Sequence, residues 1–186
     1  MHQTRGVAED EIISQCKTGS LKYQELLYKH FYGYAMGVSL RYSLNRDDAL
    51  EVVNDAFIKV FNAITNFNSD KPFKAWLRTI IVNTAIDRRR KDLKFQLNVD
   101  IEYAVPAVSA SAVENLDAKD ILQLMKQLPA IQVSIFNLYE IDGYSHDEIA
   151  ELLSIPVSSS RVYLSRAKEK LRSLLRSEAL RHGRSV

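Results

Sequence analysis

The sequence predicts an all-α fold: an N-terminal helical bundle over residues 1–94 and a C-terminal helix-turn-helix domain over residues 116–186, joined by an extended linker over residues 95–115. Glycines and prolines are few, six and four in 186 residues. Between them apolar side chains recur at intervals of three and four, the spacing of a helix with one buried face. No segment alternates apolar and polar residues as a half-buried strand does. From Phe95 to Asp117 the helical period lapses and there is no Lys or Arg, while Asp100, Glu102, Glu114 and Asp117 carry negative charge. The Val105-Pro106-Ala107-Val108 centre of that stretch suits a tether better than a packed element.

Taken in order, a short helix near Glu9 to Lys17 places Cys16 beside Ile12 and Ile13, which predicts a buried thiol. The next helix, Leu21 to Ser43, puts Leu27, Phe31, Tyr34, Val38 and Tyr42 on one stripe. Asp47 and Asp48 supply anions where a third helix should begin, and Leu50, Val53, Phe57, Val60, Phe61 and Ile64 form its expected buried face. A fourth helix follows Pro72, carries Phe73, Trp76, Leu77 and Ile80 inward, and ends in the run Arg88, Arg89, Arg90, Lys91. Trp76 is expected in the core.

In the second domain, Ile121, Leu122, Met125 and Leu128 define a helix stopped by Pro129, and another spans Ile131 to Glu140. Asp142 and Gly143 break it. Ser145-His146-Asp147-Glu148 then reads as a capping box, in which a serine hydroxyl and a glutamate three residues on satisfy each other's neighbouring amides; His146 is expected to be exposed. After the turn Ser154-Ile155-Pro156-Val157, the last helix turns Leu164, Ala167, Leu171 and Leu174 inward.

The net charge of +2 conceals a division. Phe73 to Lys94 holds seven Lys/Arg against Asp87 and Asp92, and Ser158 to Arg184 holds eight against Glu169 and Glu178. Two basic islands on an otherwise acidic chain fit two contacts with one polyanion, because phosphate neutralisation is the main sequence-independent source of nucleic-acid affinity. Solvated helix faces would give the same charges. No apolar stretch approaches the ~20 residues needed to span a bilayer. Met1 to Asp10 lacks the apolar middle of a secretory signal, so a cytoplasmic location is expected.

Three constellations bear on function. The first is the helix-turn-helix from Tyr144 to Leu175, whose second helix fits a major groove. Ser158, Ser159, Arg161, Val162, Ser165, Arg166 and Lys168 are its candidate DNA-binding residues, with Ser160 able to cap. The second is the outward side of the third helix, where Glu51, Asn54, Asp55, Ile58 and Asn62 make an acidic face with an exposed isoleucine. The first four are candidates for docking a basic helical partner. The third joins the loop Thr65 to Pro72 with the fourth helix: Phe67 and two asparagines could lodge an unstacked base, Asn83 could read its edge, and Arg88, Arg89 and Arg90 could hold the backbone.

The order Glu51-Val52-Val53-Asn54-Asp55-Ala56-Phe57, then Phe73-Lys74-Ala75-Trp76-Leu77, Val82-Asn83-Thr84-Ala85 and Asp87-Arg88-Arg89-Arg90, resembles region 2 of extracytoplasmic-function sigma factors. Leu128-Pro129, Tyr144 to Ala150, Ile155-Pro156 and Leu164 to Lys168 with Leu171 resemble region 4. This resemblance implies a sigma factor that binds core RNA polymerase, recognises the −35 and −10 promoter elements and promotes opening. Glu51, Asn54 and Asp55 would face the β′ clamp helices, Asn83 the −10 base, and Arg161, Val162, Ser165 and Arg166 the −35 duplex. Region 4 would touch the β flap, and an anti-sigma factor is an implied partner. Departures from the usual pattern are Ser154, where the turn commonly has glycine, Asn54 in place of glutamine, and Ser158 and Ser160, where glycine and a buried apolar residue are common.

A self-sufficient dimeric helix-turn-helix regulator would need a dimer interface, yet no heptad seam is visible, and the first basic island would have no task. An enzyme is less favoured. His2, His30, His146 and His182 are scattered, no Glu-x-x-His pair exists, and Cys16 has no nearby base. No catalytic residue, metal, cofactor or small-molecule substrate is expected, nor insertion into a membrane.

Overall fold

The computed structural model describes residues 8–99, 124–125 and 127–182. The chain divides into two compact units, Met1–Arg88 and Arg89–Val186, which are taken separately.

In the first unit, helix α1 (Glu9–Cys16) buries Ile12, Ile13 and Cys16. Helix α2 (Leu21–Leu40) buries Leu27, Phe31, Ala35 and Val38, and Tyr42 just beyond its end is also buried. Tyr34, expected on this stripe, is only half-buried. Helix α3 (Arg46–Ala63) starts one residue before the anionic pair, because Asn45 is its cap: the Asn45 Oδ1 accepts from the Asp48 amide at 2.8 Å, and Asp48 Oδ2 accepts from the Leu44 amide at 3.0 Å. That reciprocal arrangement satisfies one amide that the first turn leaves open, at Asp48, and one just before the cap, at Leu44.

The buried stripe of α3 is Ala49, Val52, Val53, Ala56, Phe57 and Val60. Leu50, expected inside, is 37% exposed, and Phe61 is half-buried. Ala49 meets α2 at Ser39, so the inward stripe runs through Ala49 and the next residue round the helix, Leu50, turns outward. The buried hydroxyl of Ser39 donates to the Ala49 carbonyl at 2.9 Å across that seam.

A single 3-10 turn (Ile64–Asn66) closes α3. Helix α4 (Phe73–Val99) begins after Pro72, whose carbonyl accepts from the Ala75 amide. Phe73, Leu77, Ile81, Val82 and Ile86 are buried, whereas Ile80 is half-buried: the inward stripe runs through Ile81. Trp76 is likewise half-buried, not enclosed, and lies against Phe67 and Phe73. The helix continues through Val99, five residues into the stretch read from sequence as linker. The rest of that linker, and Ile121 and Leu122 of the helix expected after it, lie outside the described residues.

In the second unit, Leu124, Met125 and Leu128 form a buried cluster with Ala167 and Leu171. Helix α5 (Ala130–Phe136) is followed by a π-helical turn (Asn137–Ile141), closed by the Asp142 amide on the Asn137 carbonyl at 2.9 Å. Gly143, at φ +76, supplies the reversal that ends this segment. Helix α6 (His146–Leu153) and helix α7 (Val157–His182) complete the unit. Leu164, Ala167 and Leu171 of α7 are buried and Leu174 packs against them.

Candidate nucleic-acid interface

The helix-turn-helix is built from strong local signals. Ser145 caps α6 with a complete capping box: its Oγ accepts from the Glu148 amide at 3.2 Å, and Glu148 Oε2 accepts from the Ser145 amide and hydroxyl, both at 2.8 Å. Those donors hold the Glu148 carboxyl below its ordinary pKa, the backbone hydrogen bond most strongly. The turn reverses at Ser154, which adopts the left-handed conformation at φ 56, ψ 49. Serine occupies a geometry that glycine adopts at lower cost. Ile155, 8% exposed, plugs the turn, and the Pro156 carbonyl accepts from the Ser160 amide at 3.2 Å as α7 begins.

Helix α7 has two distinct sides. Ser160, Tyr163, Leu164, Ala167 and Leu171 are buried. Ser158, Arg161, Val162 and Ser165 are exposed, at offsets of zero, three, four and seven, which makes them one outward stripe. Ser159 is half-buried. Arg166 is half-buried as well, its guanidinium 5.9 Å from the Tyr163 ring centroid. Lys168 stands apart from the stripe. Its ammonium pairs with Glu140 at 2.5 Å and lies 6.0 Å from the Tyr139 ring centroid. The acidic turn after α5 therefore draws Lys168 away from the role of a free DNA-binding cation.

His146 also differs from its sequence expectation: it is half-buried. Its Nδ1 shares a hydrogen bond with Ser160 Oγ at 2.9 Å, and its ring stacks on Tyr139 with centroids 4.5 Å apart. Ser160 is fully buried, so the histidine satisfies the hydroxyl that stands in an apolar position. Burial first, then the charge of Arg161, pushes the His146 pKa below its ordinary value, with Asp147 opposing and Lys168 adding to the fall.

In the first unit, Glu51, Asn54 and Ile58 are exposed and Asp55 half-buried along one stripe of α3. The fourth helix reaches into this face. Arg88 Nη1 donates to Asp55 Oδ2 at 2.6 Å, and Nη2 pairs with Glu51. Asn54 Oδ1 accepts from the Tyr28 hydroxyl at 2.9 Å. Arg88, grouped from sequence with the DNA-contacting arginines, is thus joined to the acidic face instead, because it lies around the helix from Asn83. Arg89 and Arg90, which follow on the same helix where the second unit begins, are half-buried.

Asn83 shares its side of α4 with the exposed Thr79 and Asp87. It makes no side-chain hydrogen bond among the described residues, so its amide is available to a ligand. Phe67 is not available in that way. It is 6% exposed, edge-on to Phe73 at 5.3 Å and tilted on Trp76 at 4.9 Å. Its ring is a core wedge under the loop, while Thr65, Asn66, Asn68, Ser69, Asp70 and Lys71 are exposed, so the loop's polar surface rests on these side chains and not on Phe67.

No group of His, Cys, Asp and Glu among the described residues could hold a metal ion, and no described helix is long and apolar enough to cross a membrane. A helical unit with an acidic face and a free asparagine, and a second unit presenting a polar and basic stripe on a capped helix-turn-helix, define a two-part DNA-binding protein. Residues 27–94 match the family model "Sigma-70 region 2" and residues 118–171 match "Sigma-70, region 4". The chain belongs to the sigma-70 family, in its extracytoplasmic-function group.

It is similar to the RNA polymerase sigma-H factor of Pseudomonas aeruginosa, with 26% identity over 180 residues, covering 88% of this chain and 91% of that one. Similarity to the ECF RNA polymerase sigma-E factor of Haemophilus influenzae is 25% over 178 residues, covering 89% and 94%. The sigma factor RpoE of Bartonella quintana, solved with the anti-sigma factor NepR, shares the fold at a TM-score of 0.52 and 22% identity, over 84% of this chain and 98% of that one. The chain is therefore a sigma factor, acting in promoter recognition at transcription initiation.

Proposed function

We propose that this sigma factor divides its work among three faces. The α3 face, with Glu51, Asn54, Asp55 and Ile58, docks on the β′ clamp helices of core RNA polymerase. The exposed stripe Ser158, Arg161, Val162 and Ser165, with Ser159 and Arg166 beside it, enters the −35 major groove. The loop Thr65 to Pro72 and Asn83 take one unpaired base of the −10 strand, with Arg89 and Arg90 on the backbone. Residues 1–99, through the end of α4, and 116–186 serve as the two functional domains, with the stretch between them as their tether. Region 4 also touches the β flap, and an anti-sigma factor holds the protein inactive in the cytoplasm. The protein performs no chemistry of its own; the polymerase does.

The observation that carries this reading is the outward stripe of α7 above a capped, sharply turned α6. That geometry offers base-reading side chains on a rigid rod about as wide as a major groove. Sigma-free core polymerase, supplemented with the purified protein and a promoter library, should yield specific transcripts. A stand-alone regulator would bind duplex DNA yet give none.

A further inference from the structure

Lys17, at the end of α1, reaches the loop between the 3-10 turn and α4. Its ammonium donates to the Phe67 carbonyl at 2.8 Å and to Ser69 Oγ at 2.9 Å, and lies 5.6 Å from the Phe67 ring centroid. These two acceptors flank Asn68. An ammonium has three donors and a flexible stem, so one side chain can bracket a residue from both sides. Asn68 is further ordered from within: its Oδ1 accepts from the Asp70 amide at 2.9 Å and its carbonyl from the Lys71 amide at 3.1 Å.

The loop therefore has three anchors. The Phe67 ring sits in the aromatic cluster, Asn68 makes its own turn, and Lys17 ties both flanks of that turn to α1. Only the last comes from an element distant in sequence, and it exists only while α1 is docked through Ile12, Ile13 and Cys16. Without it the partly buried Phe67 carbonyl loses its partner, and the loop must move to find another. A cleft lined by Lys17, Phe67, Ser69 and Asp70 opens beside this point.

We propose that Lys17 is a positioning residue for −10 recognition, clamping the loop in the one shape that admits the correct unpaired base. The proposal rests on the loop's role stated above. A base pocket made partly of backbone is only as selective as that backbone is fixed, and small misplacements are costly.

The test uses holoenzyme and single-stranded DNA carrying the −10 element that the wild type selects. The quantity read is the ratio of affinities for that strand and for its single-base variants. Lys17→Met, which keeps the stem and removes the charge, should lower this ratio on the order of tenfold while affinity for an unrelated strand stays as in the wild type. Lys17→Arg, which still offers two donors, should restore most of the ratio. A general loss of fold would lower both affinities together. If Asn68→Ala and Asn83→Ala flatten the ratio and Lys17→Met does not, the clamp is refuted and the loop reading stands. If none of the three alters it, the loop reading falls, and the clamp with it.

Discussion

Arg88 grips the acidic face of α3: its Nη1 donates to Asp55 at 2.6 Å and its other terminal nitrogen pairs with Glu51. A cation supplied by the protein itself already sits where a partner's basic helix is expected to dock. The hydrogen bond that Arg88 donates to Asp55 is the main cause of its raised pKa, so this residue stays charged throughout.

Reversing charge at Glu51 and Asp55 together should weaken binding to core polymerase strongly, since like charges across an interface cost several kcal/mol. The fold should lose little, because an exposed pair contributes ~0.2–1 kcal/mol. Titration of core with the labelled double variant, beside its urea unfolding curve, checks both halves. Unchanged core affinity would remove α3 from the docking surface.

Arg161→Ala should weaken −35 binding by about 1–3 kcal/mol and relax preference at one position, the mark of a base contact. Arg166 leans toward Tyr163, so Arg166→Ala should weaken all sequences alike, as loss of a phosphate contact does. Lys168→Ala should alter neither, because Glu140 already holds that ammonium. Selection from a library randomised at the −35 element separates the three outcomes.

Asn83→Ala should preserve core binding and −35 recognition but reduce open-complex formation. Unstacking a base costs a few kcal/mol, which the asparagine amide would offset only for the right base. A pre-melted template should recover much of the loss. Permanganate footprinting on matched duplex and bubble templates reports this, and normal melting of duplex by the variant would clear Asn83 of the role.

His146 makes the second unit sensitive to acid. Its folded pKa lies below the ordinary histidine value of 6.5, so the unfolded chain binds a proton before the folded one does. Stability is therefore full above pH 6.5 and falls as pH drops from there toward the depressed folded value. Subtracting the unfolding curves of His146→Gln from those of the wild type across pH 5 to 8 should isolate this slope. A difference independent of pH would place the histidine outside the linkage.

Ser154→Gly should stabilise the protein. The left-handed serine costs about 1–2 kcal/mol, and the greater freedom of glycine in the unfolded chain returns about 0.4–1 of it. A net gain of about 0.5–1 kcal/mol in unfolding free energy, read as a higher denaturant midpoint, is expected with −35 binding unchanged. A loss of stability would mean that the Ser154 side chain contributes more than its backbone costs.

What could be read from the sequence is what depends on neighbours along the chain. The capping box at Ser145, the break at Gly143 and the outward stripe of α7 were all visible, because three- and four-residue spacing carries their geometry. What could not be read depends on contacts at a distance. Leu50 turns outward because Ala49 beside it faces Ser39 of α2. Phe67 looked available in a polar loop until Phe73 and Trp76 closed over it. His146 found Ser160 fourteen residues away, and Arg88 found Asp55 thirty-three away. The π-helical turn at Asn137 inserts an extra residue into a helix that periodicity read as continuous.

Cys16 is the sole cysteine of the chain, 1% exposed, with its thiol pushed by burial up to about 11. At neutral pH only about one molecule in ten thousand carries the reactive thiolate. A maleimide or methanethiosulfonate reagent should pass over the native protein. Fluorophores or spin labels can then be attached through a single cysteine introduced at Ile58 or Asn66 without first editing Cys16 away. The same silence makes Cys16 a clock. Because it precedes Lys17, its rate of alkylation in native buffer counts how often α1 lifts from the body of the protein, and a promoter strand that slowed that rate would have reached the loop Lys17 holds.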